Sequence, residues 1–333
     1  MIRNRRVMER SLWRSLVLLA FLAIACGGII ISLVKGSVNI SLDKIMQALT
    51  TKDAGVQGQI IWNIRLPRTL VGALVGMNLA LSGAILQAVM KNPLADPHII
   101  GISSGAGLAG VLVLVLWPNT EYLLTPVAFF GAMGAAVLIY LLAWKGGIRP
   151  IRIILAGVAV SAFLGSGISA VLVLYSDRVH GALMWMVGGL TARSWPHFYT
   201  ILPYSIGGAL LAFWGAKRLN VLSLGDETAR GLGLKVEQTR IIMTAVAALL
   251  AASAVSVAGL LGFVGLIVPH AARLLIGWDY RFLLPASAVL GMGVVTLSDT
   301  LARTLFSPVE IPVGIIMAFI GAPFFLYLLR RES

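Results

Sequence analysis

Apolar runs of about 20 residues recur along this chain, each closed by a short charged or Pro/Gly-containing break. A helix needs such a run to cross a bilayer core of roughly 30 Å at 1.5 Å per residue. Ten can be marked: Ser15–Val34, Leu66–Met90, His98–Trp117, Leu123–Trp144, Ile153–Tyr175, Phe198–Ala216, Ile241–Ala258, Leu260–Gly277, Phe282–Thr304 and Ile311–Leu329. Only Gly259 parts the seventh from the eighth, and Pro269 interrupts the eighth. Charged residues make up 12% of the 333 positions, against about 25% in soluble domains, so little chain is left outside a membrane. The pattern predicts an all-α polytopic membrane protein of about ten transmembrane helices, with residues 1–333 forming a single domain. The first run is too long for a typical signal-peptide core and lacks a clear small-residue cleavage site, so it is expected to stay in place.

An even number of spans puts both termini on one side. Of the 26 lysines and arginines, 18 lie on or toward that side and 8 on or toward the other. By the positive-inside rule, both termini are expected to be cytoplasmic. The same asymmetry accounts for the net charge of +13 without invoking nucleic acid. Cys26 is the lone cysteine, which excludes a disulfide framework and a cysteine metal site. The four histidines, His98, His180, His197 and His270, are scattered, and His270 reads as structural.

The longest polar interruption in the C-terminal two-thirds is Arg218–Arg240. Asp226, Glu227, Arg230, Lys235 and Glu237 alternate there with Leu224, Ala229, Leu232 and Leu234, and Gly225, Gly231 and Gly233 divide it. Glycine disfavours helix interiors by about 1 kcal/mol. The stretch is read as two short helices joined at glycines, presenting an apolar and charged surface on the cytoplasmic face; an ordinary interhelical loop is the plainer alternative. Ser41–Leu49 is expected to form a short amphipathic helix, Gly181–Gly188 another short helix, and Lys91–Pro97 a Pro-punctuated turn.

Two catalytic-looking patterns fail on context. Gly101–Gly105 spells G-x-S-x-G and Gly105–Gly110 spells G-x-G-x-x-G, but each requires a strand before and a helix after, and both lie within one apolar run. Small-residue packing between membrane helices is the better account. No phosphate-binding G-x-x-x-x-G-K-[ST] motif occurs. Ionisable groups at membrane depth are costly and mark candidate sites. Asp299 and Arg303, four apart, can pair on one helix face. Arg65, Arg68 and Arg303 would form outward-facing cations around an opening, suited to an acidic partner. Gln87 and Asn78 are candidates to line a path, with Asn92, Pro93 and Leu94 as a polar break at its inner end. His180 and Met184, one turn apart, could in principle touch haem iron.

RLPRTLVGALVGMNLALSGAILQAVMKNPLADPHIIGISSGAG (65–107), WMVGGL (185–190), LGDETARGLGL (224–234), GFVGLIVPHAARLLIGWDYRFLLP (262–285), DTLAR (299–303) and PVEIPVGIIMAFIGAPFF (308–325) together resemble the permease subunits of bacterial iron–siderophore, haem and cobalamin ABC importers, the FecCD family. The resemblance covers nearly everything beyond the first span. It implies a multi-pass permease of the bacterial cytoplasmic membrane, paired with a second copy of itself, two ATPase subunits and one extracytoplasmic binding protein. ATP and magnesium would sit in the ATPases, with no cofactor and no catalytic residue in this chain. Carried over by position, Leu224, Gly225, Asp226, Glu227, Ala229, Arg230, Gly231, Leu232, Gly233 and Leu234 become the coupling helices. Arg65, Arg68 and Arg303 become the cations that dock the binding protein. Gln87, Asn92, Pro93 and Leu94 fall at the inner gate, and His180, Met184, Trp185, Gly188 and Gly189 at the outer gate. Ferric siderophore is the first expectation for cargo, with cobalamin or haem as alternatives. An ion-gradient-driven secondary transporter is the rival class. It would need titrating carboxylates at depth, and only Asp299 qualifies.

Overall fold

The computed structural model describes residues 2–36, 40–51, 55–98, 101–145 and 150–332; Lys52 and Arg149, counted in the charge asymmetry, lie outside them. The described residues form helices α1 (Ile2–Val34), α2 (Leu42–Thr51), α3 (Gly55–Ile60), α4 (Leu66–Met90), α5 (Ile102–Leu116), α6 (Leu124–Ala143), α7 (Pro150–Leu174), α8 (Val179–Val187), α9 (Trp195–Ser223), α10 (Asp226–Gly231), α11 (Val236–Ala258), α12 (Val264–Ile276), α13 (Tyr280–Thr304) and α14 (Val313–Glu332).

α4 is the axis of the bundle. Of its 25 residues only Leu66, Leu70 and Leu74 escape full burial, because α1, α9, α11, α12 and α13 pack around it. Its glycines make this possible. A Cβ on Gly76 would lie 2.1 Å from the Gly291 carbonyl oxygen of α13, and one on Gly83 would lie 1.9 Å from the Gly265 oxygen of α12. Small residues allow that approach, and close approach supplies the dispersion contacts that hold helices together in lipid. On the far flank, Gly105 of α5 meets Gly131 of α6 in the same way, so the G-x-S-x-G and G-x-G-x-x-G stretch is a packing face. α7 has only Ile153, Gly157, Val160 and Ile168 buried; Leu155, Phe163, Val173 and Leu174 are more than half exposed.

Among the described residues, seven helices are long and apolar enough to cross a membrane. α5, α12 and the described part of α14 are apolar but shorter, and occupy the third, eighth and tenth marked runs. The boundaries differ in two instructive places. α9 continues to Ser223, two turns past the expected end at Ala216, because Leu219 and Leu222 are fully buried and Asn220 Nδ2 donates to Asp279 Oδ1 at 2.7 Å. Helix also begins before Leu66, at α3, and joins α4 through a π turn at Ile61–Arg65, where Trp62 Nε1 donates to Ala48 O of α2 at 2.8 Å.

Candidate functional site

The polar stretch after α9 makes one short helix, not the two expected. Gly225, at φ 109°, turns the chain out of α9, and Asp226 and Glu227 open α10, where carboxylates complement the helix dipole. The helix ends in a Schellman arrangement: Leu234 N donates to Ala229 O, Gly233 N donates to Arg230 O, both at 2.9 Å, and Gly233 sits at φ 79°. The chain then enters α11 directly, leaving no room for a second helix. Ala229 is fully buried beneath the knob, while Leu224 and Leu232 are exposed by 60% and 63%. Large apolar side chains flanking a charged turn at a membrane surface suit a protein partner.

Asp226 fastens this knob to the bundle. Its Oδ1 accepts from Lys91 Nζ, at the end of α4, and from Arg240 Nη2 of α11 at 3.0 Å. Burial pushes the Asp226 carboxyl up, but the hydrogen bonds from Lys91 and Arg240 outweigh it and hold the group below its ordinary value. Lys91 starts the turn that contains Asn92, Pro93 and Leu94. There Asn92 Oδ1 accepts Leu94 N at 2.9 Å, and Asp96 Oδ1 accepts His98 N at 2.8 Å, so two Asx turns stiffen the segment. The knob and the turn at Asn92–Leu94 are thus one hydrogen-bonded unit.

Gln87 and Asn78 do not line an open path. Both are buried. Gln87 accepts from Arg273 Nη2 at 2.7 Å and donates to Gly265 O at 3.2 Å; Asn78 Nδ2 donates to Ser205 and Ser253 Oγ at 2.8 and 3.0 Å. They tie α4 to α9, α11 and α12, satisfying polar groups that lipid could not.

The opposite end of the bundle also departs from the sequence expectation. Arg65, Arg68 and Arg303 are each more than nine-tenths buried instead of facing outward. Arg68 grips Asp299 through Nε and Nη2 at 3.0 and 2.9 Å and reaches Glu310 at 2.8 Å through Nη1. Arg303 pairs with Asp299 at 3.2 Å and donates to Ser32 O at 3.0 Å. Arg65 donates to Leu33 O and Val34 O at 2.6 and 2.9 Å. The cations turn inward because Asp299, Glu310 and the last carbonyls of α1 are there to receive them. The i, i+4 pairing of Asp299 with Arg303 matches the sequence reading; the role of Arg68 as its bidentate partner from α4 was not visible in sequence.

At that same end, α8 closes on a node of glycines. Trp185 is buried, with its ring against Gly110; Gly188, at φ 84°, accepts from Gly314 N at 3.0 Å; Gly189 N donates to Ala258 O at 2.8 Å. A Cβ on Gly314 would lie 1.8 Å from Val187 O, and one on Gly259 2.1 Å from Trp185 O. Sequence reasoning singled out Trp185, Gly188 and Gly189 for this place, noted Gly259 only as a break between two runs, and missed Gly314, whose signal was a glycine near the start of an apolar run. His180 and Met184 sit exposed on α8, and no group of three or more potential metal ligands occurs among the described residues. Beside the node lies a cavity of about 720 Å³ lined by Val187, Leu260, Phe263, Ile315, Phe319 and Asp96.

The sequence matches the FecCD transport family over residues 21–331. The chain belongs to that family. Over 97% of both chains it is 40% identical to the Fe(3+)-citrate import system permease protein YfmD of Bacillus subtilis. It is 37% identical to the iron(3+)-hydroxamate import system permease protein FhuB of B. subtilis, over 98% of this chain and 88% of the relative. The cobalamin import system permease protein BtuC of Halobacterium salinarum is 45% identical over 82% of this chain and 74% of its own length. Among solved structures, an inward-facing metal-chelate type ABC transporter superposes with a TM-score of 0.84 at 30% identity, covering 95% of this chain and 99% of that one. This FecCD chain is a multi-pass membrane protein.

Proposed function

We propose that this chain is the permease subunit of an ATP-driven importer that carries a ferric chelate across the cytoplasmic membrane. The observation that carries the reading is the knob at Leu224–Leu234. It is a short charged helix, flanked by the exposed Leu224 and Leu232 and pinned by Asp226 to both Lys91 and Arg240, so a push from outside the membrane reaches the turn at Asn92–Leu94 through one carboxylate. The hydrolysing site, with its ATP and magnesium, belongs to two partner ATPase subunits that seat the knob. A second copy of the chain completes the path: the cavity beside Gly188 and the exposed apolar faces of α7 and α14 are its half. The chain has ten spans with both termini cytoplasmic. An extracytoplasmic binding protein docks at the Arg68–Glu310 end through the exposed 305–312 loop, where Leu305, Phe306 and Val309 project, with the buried arginines holding that loop in place. Iron as cargo is supported by the ferric citrate and hydroxamate relatives, which align over most of both chains.

The test is ATP hydrolysis by the chain in lipid with its ATPase, adding binding protein loaded in turn with ferric citrate, a ferric hydroxamate, haem or cobalamin. Stimulation by a ferric chelate is the expected result. Stimulation by cobalamin or haem alone would overturn the cargo. Failure to bind any ATPase, with uptake lost on collapsing an ion gradient, would overturn the importer and favour a secondary transporter.

A further inference from the structure

α9 carries a ruler for the membrane. Trp195 and Trp214 are 19 positions apart, roughly 28 Å at 1.5 Å per residue, close to the roughly 30 Å of a hydrocarbon core. Trp195 stacks on Trp62 at 6.1 Å. At the α10 end, Trp13 Nε1 donates to Leu275 O at 2.8 Å, and Trp278 lies under Arg273 at 4.7 Å. Tryptophans gather at both interfaces of a bilayer, so Trp214 marks the headgroup level at the end that holds α10. One turn beyond it come Lys217 and Arg218.

Across a cleft of about 500 Å³ they face Arg281, from the first turn of α13, above a floor of Phe213 and Trp214. Arg218 lies 3.7 Å from the Trp214 ring centroid. Asp279 is the carboxylate at this place, and it is already engaged, by Arg281 at 2.6 Å and Asn220 at 2.7 Å. Neither Lys217 nor Arg218 has a carboxylate within 4.0 Å among the described residues. The cleft therefore holds two cations whose charge is not balanced. Below it toward the membrane centre, α9 exposes Leu210 and Leu211 by 63% and 45%, a surface that an acyl chain can cover. Cations over an aromatic floor, with an apolar strip leading into the bilayer, match a molecule with a phosphate at one end and hydrocarbon at the other.

We propose that the cleft between the end of α9 and the start of α13 binds the headgroup phosphate of an anionic phospholipid, held by Lys217, Arg218 and Arg281. The proposal rests on the membrane placement of the bundle and is independent of the cargo. A free phosphate ion is also an anion but leaves the apolar strip bare, so the lipid is the assigned occupant.

The experiment titrates the full chain in neutral detergent micelles with brominated phosphatidylglycerol and, in parallel, brominated phosphatidylcholine, reading tryptophan quenching. Two interfacial cations predict a preference of about thirtyfold for phosphatidylglycerol. Lys217→Gln with Arg218→Gln should remove the preference, Lys217→Arg with Arg218→Lys should keep it, and Trp214→Phe should remove the saturable part of the quenching. Equal affinity for the two lipids, or an unchanged preference in the double Gln variant, would overturn the proposal. Displacement of phosphatidylglycerol by millimolar inorganic phosphate would overturn the lipid as occupant and leave a phosphate site.

Discussion

Replacing Asp299 by Leu should destabilise the bundle far more than its small volume suggests. Asp299 is 2% exposed and takes three contacts, two from Arg68 and one from Arg303. Once it is removed, Arg68 keeps only Glu310, whose side chain is 34% exposed and so only partly compensates a buried guanidinium. Arg303 keeps Ser32 and Thr300, which are neutral. Breaking a buried ion pair by deleting one partner costs roughly 3–5 kcal/mol; loss of both pairings puts Asp299→Leu at the upper end. Asp299→Asn, which can still accept from Arg68, should cost about 3 kcal/mol. Restoring neutrality is the control. Asp299→Leu with Arg303→Met leaves Arg68 facing Glu310, so the double variant should recover at least about 2 kcal/mol relative to the sum of the single changes. The assay is sodium dodecyl sulfate titration of the micelle-bound protein, followed by circular dichroism. An Asp299→Leu variant within about 1 kcal/mol of the parent, or strict additivity in the cycle, would refute the argument.

Gly83→Ala places a Cβ 1.9 Å from a backbone oxygen and should cost roughly 3 kcal/mol in the same titration, whereas Gly134→Ala, with nothing within 4 Å, should stay within about 0.5 kcal/mol. Lys91→Asn tolerates the left-handed backbone at that position (φ 50°) but releases the knob from α4; ATPase binding should persist while cargo moved per ATP falls at least about twofold, and an unchanged ratio would remove Lys91 from the coupling route. Gly231→Pro should likewise uncouple hydrolysis from uptake without loss of the folded chain, checked by uptake into proteoliposomes. Because the Asp226 carboxyl is held below its ordinary 3.8, its tie to Lys91 and Arg240 is complete above that pH and is lost as pH falls through the lowered folded value. Hydrogen exchange over 226–234, corrected for intrinsic rates, should therefore be flat from pH 8 to pH 5 and rise only below 3.8.

What the sequence made legible follows the physics of each feature. Hydropathy located the long helices, because crossing lipid demands an uninterrupted apolar run, and it erred where a helix end is fixed by tertiary contacts. The last two turns of α9 are polar in composition yet helical, because Leu219 and Leu222 are buried and Asn220 is tied to the α12–α13 turn. Glycines at 225 and 233 were read correctly as breaks, but the number of pieces was not, since a Schellman turn needs only one residue past the helix. The arginines at 65, 68 and 303 were found as a cluster and given the wrong direction. Spacing shows that Arg303 can reach Asp299 on its own helix; it cannot show that Asp299 and Glu310 receive Arg68 from α4, or that the last carbonyls of α1 receive Arg65. The pairings of Gly76 with Gly291, and of Gly188 with Gly314, join residues more than 100 positions apart and leave no local trace.

The distribution of close contacts also says which parts can move. α4, α11, α12 and α13 are locked by glycine approaches and buried amides, and a shift of a few tenths of an ångström there meets backbone oxygen. Such a block moves as one body. α7 has four buried residues and an exposed apolar face, so it can slide against a neighbour at little cost in buried contacts. The knob is fastened to the rigid block, through Lys91 on α4 and Arg240 on α11, and not to α7. The knob therefore belongs mechanically with the block, while α14 lines the cavity through Ile315 and Phe319, and α7 and α14 both carry exposed apolar side chains. The glycine node at Gly188, Gly259 and Gly314 is where α8 and α14 meet the block, so a rigid-body displacement of one against the other would be felt there first.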